Sequence, residues 1–355
     1  MQRSMRTLIL GAGALGGLIG ARLAATGARV SFAVRDRASA ERLRQAGFRV
    51  SGVGGPVAVP AGDVAALDDV PARPELELVV LATKAQEAME LAPRATRWLT
   101  PGGTLLPIQN GAVSRLLTDL LGGERVLGGL SNLGATLHGP GEIEQRNAGH
   151  LLIGELSGGI SDRATRVRDW LGQGVEVRAT GNLSGAIWSK LLINCSVTTL
   201  GAIAGRTMRA YVATPTGRAV FDGAYDEALS VAFASGARPE KMMVDPIPPG
   251  WDGRAASGPE HEAWLARILD AYGDLKPSML QDFERGRVTE IDFINGYVAE
   301  LGRRLGVPTP VNAAIVETVH AIEQRRVAPD PELLEPLARA RMGARRTAEV
   351  ALAPR

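Results

Sequence analysis

With 355 residues, 40 Lys and Arg against 38 Asp and Glu, and a net charge of +2, the chain is long enough for two hydrophobic cores and too evenly charged for an electrostatic nucleic-acid surface. One cysteine, Cys195, excludes an internal disulfide framework and a cysteine metal cluster, so a cytoplasmic protein without a metal site is expected. The 43 glycines, about 12% against an average near 7%, gather in turns of the first half and form no repeat.

The apolar run Thr7-Leu8-Ile9-Leu10 reads as a buried strand, and it leads directly into Gly11-Ala12-Gly13-Ala14-Leu15-Gly16. That spacing predicts a dinucleotide-binding turn. The first glycine allows the bend, the second lets backbone approach a pyrophosphate, and the third lets the next helix pack on the sheet. Gly11, Gly13, Ala14, Leu15 and Gly16 are therefore candidate cofactor contacts. A plain strand-turn-helix uses similar glycines, but Leu15, Ile19 and Leu23 at helical spacing, a stop at Gly27 and a second strand over 29–34 complete a βαβ unit. Arg3 and Arg6 before the uncharged stretch Thr7–Ala21 imitate a signal peptide, yet glycines at 11, 13, 16, 17 and 20 do not suit a helical leader. No uninterrupted apolar run of about 18 residues occurs, so no membrane span is expected.

Arg35 follows the second strand, where an acid would accept from the ribose hydroxyls of NAD. A guanidinium matches a 2′-phosphate in charge and geometry, which favours NADP(H), unless the neighbouring Asp36 faces the ribose instead. Strands over 76–83 and 104–108 end in polar residues, placing Lys84 and Asn110 toward the cofactor, although Asn110-Gly111 is equally a plain turn. Shorter strands at 142–145, 151–153 and 175–178 close this part, antiparallel in part.

From about Leu183 the pattern turns helical. A first helix over 184–204 is mostly apolar, and Lys190, Asn194 and Thr198 interrupt it at i, i+4 and i+8, one polar stripe on a helix otherwise suited to burial. A lysine there is either packed along its stem with its head in water, or a catalytic ammonium whose pKa is lowered by desolvation. The segment 237–261 holds five prolines and reads as a binding lid or a surface excursion. Leu333, Leu334 and Leu337 predict one more helix, packing on the body or on a partner subunit, and the basic stretch 339–346 is its solvated face. The domains expected are 1–182, a Rossmann domain binding NADP(H); 183–330, a helical substrate domain; and 331–355, an extension.

The run Ile187-Trp188-Ser189-Lys190-Leu191-Leu192-Ile193-Asn194-Cys195, then Pro277-Ser278-Met279-Leu280-Gln281-Asp282 and Thr289-Glu290-Ile291-Asp292-Phe293-Ile294-Asn295-Gly296, resembles the ketopantoate reductase family. The glycine turn, Arg35, Lys84 and Asn110-Gly111 follow the same order. The resemblance implies a doubly wound Rossmann-type α/β domain followed by an all-helical 6-phosphogluconate-dehydrogenase-like domain. It also implies NADPH-dependent reduction of 2-dehydropantoate (ketopantoate) or a related small 2-keto acid. Lys190 would be the general acid, Glu290 would bind substrate or orient the lysine, and Asn110, Asn194 and Ser278 would line the site. Where the family usually has a second asparagine and then proline, this chain has Thr198 and Thr199, a shorter polar group that fits a larger or differently shaped acid. The alternatives are a paralogue reducing another keto or imine substrate, and a non-catalytic NADP(H)-binding protein. Four histidines, none on the polar stripe, argue against a His/Asp mechanism. Neither nucleic acid nor membrane is expected as a partner, and a homodimer stays open.

Overall fold

The computed structural model describes residues 4–253 and 258–341 and divides into two compact units, Met1–Leu183 and Ser184–Arg355. The first is mixed α/β. Strands β1 (Thr7–Leu10), β2 (Val30–Val34), β3 (Phe48–Gly52), β4 (Val57–Val59), β5 (Asp63–Ala66), β6 (Leu76–Leu81) and β7 (Leu99–Pro107) are interspersed with helices α1 (Ala14–Ala24) after β1, α2 (Arg37–Ala46) after β2 and α3 (Ala85–Ala95) after β6. Helix α4 (Val113–Leu121), strands β8 (Gly128–Ser131), β9 (Ala135–Gly139), β10 (Glu142–Gln145) and β11 (Leu151–Gly154), helix α5 (Asp162–Leu171) and strand β12 (Val177–Ala179) follow.

Five strands form a parallel sheet in the order β5-β2-β1-β6-β7. All four residues of β1 are buried at its centre, which is why that strand reads as an unbroken apolar run instead of an alternating one. Ile9, Leu18, Phe32, Val80 and Leu106 lie in its core, and Trp170 on α5 donates from Nε1 to the Thr7 hydroxyl at 2.8 Å. Two smaller sheets, β4-β3-β10-β9 and β12-β11-β8, complete the unit. The late strands expected to be partly antiparallel are mixed: β10 pairs antiparallel with β9 and parallel with β3, and β11 antiparallel with β8 and parallel with β12.

The second unit is helical: α6 (Leu183–Ile203), α7 (Met208–Val212), α8 (Pro215–Ala234), α9 (Pro259–Tyr272), α10 (Ser278–Glu284), α11 (Asn295–Leu305), α12 (Pro310–Glu323) and α13, over 334–341. Helix α8 starts with Thr214, whose hydroxyl accepts from the Gly217 N–H, and with Pro215 in the first turn, both favourable there. Phe221 and Tyr225 on α8 pack against Trp264 on α9, with ring centroids 6.3 and 5.1 Å from it. Helix α6 has the length and mean hydropathy, 1.3, of a membrane span, but 78% of that apolar window is buried inside the protein, as in a core helix. Leu334 and Leu337 of α13 are buried and Arg341 donates to the Ala219 carbonyl on α8, so the predicted last helix packs on the body; residues 342–346 of the basic stretch, and the extension beyond 341, lie outside the described residues.

The proline-rich segment ends at Gly258, sooner than expected, because α9 starts at Pro259; positions 254–257 lie outside the described residues. Before them it is tied down. Ser189 on α6 donates to the Glu240 carbonyl at 2.7 Å and accepts from the Glu240 N–H at 2.9 Å, while the Pro246 carbonyl takes the Tyr225 hydroxyl.

Candidate active site

In the first unit the strand order reverses between β1 and β6, and in open parallel sheets ligands sit beyond the carboxyl ends of the strands at such a point. The two strand ends meet closely there. Gly11 follows β1 with φ +101°, and a Cβ on it would stand 2.9 Å from the Thr83 nitrogen in the turn after β6. A Cβ on Gly16 would stand 2.0 Å from the Gly11 carbonyl oxygen. Gly13, in contrast, faces open space and caps α1 with no side-chain bond, and the first turn, beginning Ala14-Leu15, carries no acid. A helix start with uncapped N–H groups behind a glycine cradle has the shape and polarity that fit a pyrophosphate.

At the same sheet edge Gln109 donates from Nε2 to the Leu81 and Thr83 carbonyls, both at 3.0 Å, while Gln109 Oε1 and Thr83 Oγ1 are buried without a hydrogen-bond partner. Buried polar atoms are nearly always bonded, so these two mark a place where a bound polar group completes the set. The sequence reading named their neighbours, Lys84 and Asn110, instead. Lys84 is exposed just before α3 and Asn110 is half-buried beyond β7. Both Thr83 and Gln109 stood in the polar strand ends that drew attention, but burial within a turn has no signature in sequence. Asp36 is engaged elsewhere: it caps α2, its Oδ1 accepting from the Ser39 N–H at 2.7 Å, which holds its carboxyl below the usual range. Arg35 stays 83% exposed, 3.4 Å from Glu87.

The second unit builds its polar site on α6. From Gly185 to Ala204 every residue is buried except Lys190, Ile193, Asn194 and Thr198, so a core helix presents one accessible strip carrying the three predicted polar groups. The strip is not a plain α-helical one. Residues Asn194–Thr198 form a wide, π-type turn in which the Thr199 N–H donates to the Asn194 carbonyl five residues back. Four residues of α-helix overshoot a full turn by about 40°, and the wide turn, with more residues per turn, changes the angle between Asn194 and Thr198 from its α-helical value.

Lys190 is pushed down from 10.5 to about 8, chiefly because burial penalises its charge; Glu290 opposes this by attracting the ammonium. The lysine as a whole is half-buried, yet the protein crowds its charged end. Glu290 does not itself open an α-helix. It precedes a single 3₁₀ turn, Ile291–Phe293, and α11 begins only at Asn295. Thr198 donates its hydroxyl inward, to the Asn194 carbonyl at 3.2 Å. Ser278 is exposed at the start of α10, and no hydrogen bond links it to the strip. Three histidines do pair with acids, His138 with Glu144 at 2.9 Å, His261 with Asp222 at 3.5 Å and His320 with Asp292 at 3.0 Å, but none is on α6. Among the described residues no group of three His, Cys, Asp or Glu is placed to hold a metal.

Two family profiles match almost end to end: Ketopantoate reductase PanE/ApbA over residues 7–158, and Ketopantoate reductase PanE/ApbA C terminal over 182–323. The chain belongs to the ketopantoate reductase family. It is thereby an oxidoreductase with the two-part Rossmann-plus-helical architecture that the sequence implied. A 2-dehydropantoate 2-reductase of Archaeoglobus fulgidus is 27% identical, covering 90% of this chain and 99% of its own, and an uncharacterized oxidoreductase of Bacillus subtilis, YkpB, is 28% identical over 89% and 97%. The crystal structure of 2-dehydropantoate 2-reductase from Methylococcus capsulatus superposes with a TM-score of 0.73 at 25% identity, covering 90% of this chain and 97% of that one.

Proposed function

We propose that this family member is a cytoplasmic, NADPH-dependent reductase of a 2-keto acid, either 2-dehydropantoate or a bulkier relative. The observation that carries the reading is Lys190, a lysine near pH 8 beside Glu290, on the accessible strip of a buried helix with Asn194 and Thr198. Relatives named 2-dehydropantoate 2-reductases support the reaction class. The glycine cradle at Gly11, Gly13 and Gly16 would hold the pyrophosphate, and Arg35 a 2′-phosphate, with Asp36 already engaged as a cap. A bound dihydronicotinamide supplies hydride to the keto carbon.

The chain's own residues handle the charge that follows. As the carbonyl carbon becomes tetrahedral, negative charge gathers on its oxygen; the Lys190 ammonium hydrogen-bonds that oxygen and gives it a proton, so the product is the 2-hydroxy acid and the lysine is left neutral. A proton from solvent restores the ammonium. A donor near pH 8 is well matched to this task, since it is charged at neutral pH yet releases its proton readily. Glu290 keeps it from being neutral too early. Asn194 offers an amide to the substrate's carboxylate, and Asn110 and Ser278 are the remaining candidates for substrate contacts.

A second reading, a paralogue with another keto or imine substrate, is favoured by Thr198: its proton is spent on the Asn194 carbonyl, so toward a ligand it offers a methyl group and lone pairs. The test is NADPH oxidation at 340 nm with 2-dehydropantoate beside bulkier 2-keto acids, NADH serving as the control cofactor. Turnover highest with 2-dehydropantoate supports the first reading and a better bulky acid the second. Absence of turnover despite NADPH binding refutes both and leaves a non-catalytic binder.

A further inference from the structure

Three consecutive carbonyls of the wide turn are each caught by a side chain. The Asn194 carbonyl takes the Thr198 hydroxyl at 3.2 Å in addition to the Thr199 N–H. The Cys195 carbonyl takes Nδ2 of Asn295, from the start of α11, at 3.1 Å. The Ser196 carbonyl takes the Tyr211 hydroxyl, from α7, at 2.5 Å. A wide turn interrupts the i→i+4 ladder and leaves carbonyls without their regular partner, and an unpaired buried carbonyl is costly. The donors that fill this gap are themselves fixed. Asn295 and Asn312 are fully buried, Asn295 Nδ2 also donates to Asn312 Oδ1 at 2.9 Å, and Asn312 Nδ2 donates to the Ala224 carbonyl and to Glu227. Glu227 in turn accepts from the Val311 and Asn312 N–H groups at the start of α12, both at 2.9 Å. Donors from α7 and α11 thus converge on one turn of α6, and Glu227 of α8 and Asn312 of α12 hold the α11 donor in place.

We infer that Asn295 and Tyr211 are positioning residues: they hold the wide turn of α6, and through it fix Asn194 and Thr198 at the spacing from Lys190 that a keto acid requires. This rests on the proposed reductase reading. The sequence gives it a particular place. Thr199 forces no break in the helix, as a proline at that position would, and its own N–H closes the turn. In this chain the break is therefore maintained from outside, by side chains of other helices. A wide turn that is not pinned can migrate along its helix or revert to α, and either shift rotates Thr198 relative to Asn194.

The decisive variants are Tyr211→Phe, which removes one hydroxyl and keeps the ring, and Asn295→Leu, which removes the amide at similar volume. Two readouts are taken on the full-length protein: hydrogen–deuterium exchange of the backbone over 194–200, and steady-state kinetics with the best keto acid of the panel. Loss of one such hydrogen bond predicts exchange about 5-fold faster over 194–200 in Tyr211→Phe, with the rest of the second unit unchanged. KM for the keto acid rises by about the same factor, while kcat stays within about 2-fold and the alkaline limb of the pH profile, set by Lys190, does not move. Unchanged exchange and KM in Tyr211→Phe overturn the inference, even if Asn295→Leu fails to fold. So does a fall in kcat in step with melting temperature at constant KM, which is what a residue serving stability alone would give. A wild-type protein without keto-acid turnover refutes the reductase reading, and the exchange measurement then judges the clamp alone.

Discussion

Replacing Lys190 by methionine should give a protein that is inactive and, at neutral pH, more stable. The ammonium titrates near 8 in the fold against 10.5 ordinarily, a gap that corresponds to roughly 3 kcal/mol of unfavourable charging. Because part of the side chain remains in contact with water, about 1–2 kcal/mol is the reasonable share. The sign follows from linkage. Between pH 8 and 10.5 the unfolded chain binds the proton and the folded one does not, so stability rises with pH over that window and the penalty is fully present only below 8. Methionine keeps the stem's packing and removes the charge. Glu290 loses its partner in the variant and takes back part of the gain, so the pH dependence is the telling quantity. Thermal unfolding at pH 7 and pH 10 measures it: the melting temperature of Lys190→Met relative to wild type should be higher at pH 7 by a few degrees and should fall toward, or below, zero at pH 10. Turnover should drop by about 10²–10⁴-fold, the usual share of a general acid. A difference in melting temperature that is the same at both pH values would refute the claim that burial depresses this lysine.

Glu290→Gln removes the attraction that keeps Lys190 charged, so the alkaline limb of kcat/KM should move down from about 8 by about one pH unit, read from a pH–rate profile; an upward move would contradict the pairing. Arg35→Ala should raise KM for NADPH at least 10-fold while leaving KM for NADH nearly unchanged, checked by initial rates with both cofactors. Gly11→Ala should abolish NADPH binding in a fluorescence titration, because its Cβ would press on the Thr83 backbone and φ +101° is strained for alanine.

Much of this molecule is legible in its residues. The Gly11–Gly16 turn, the parallel strands around it and the polar stripe on an apolar helix all follow from local periodicity. What escapes is non-local. Phe48 and Val50 alternate into the core, but the strand they make pairs with β10, some ninety residues later, and nothing near it announces that partner. Strand β7 begins at Leu99 rather than 104 because it runs through Pro101-Gly102-Gly103, which reads as a break, and its pairing with β6 shifts register near there. The wide turn at 194–198 is hidden for a similar reason: Cys195-Ser196-Val197 suits an ordinary helix, and the groups that hold the turn open come from Tyr211 and Asn295. The candidate site was visible as residue types. Its geometry depended on side chains far along the chain.

On the proposed reading helix α6 serves as core and as working surface at once, and that restricts how this protein can change. Of the twenty positions from Gly185 to Ala204 only 190, 193, 194 and 198 face outward. A substitution at any of the other sixteen disturbs close packing, where even one methylene is felt. On the proposed reading, drift in the acids this helix accepts therefore has few doors open to it: Lys190 is tied to the chemistry and Thr198 spends its hydroxyl on the Asn194 carbonyl within the turn, which leaves Ile193 and the Asn194 side chain as the places where new preferences can be written cheaply.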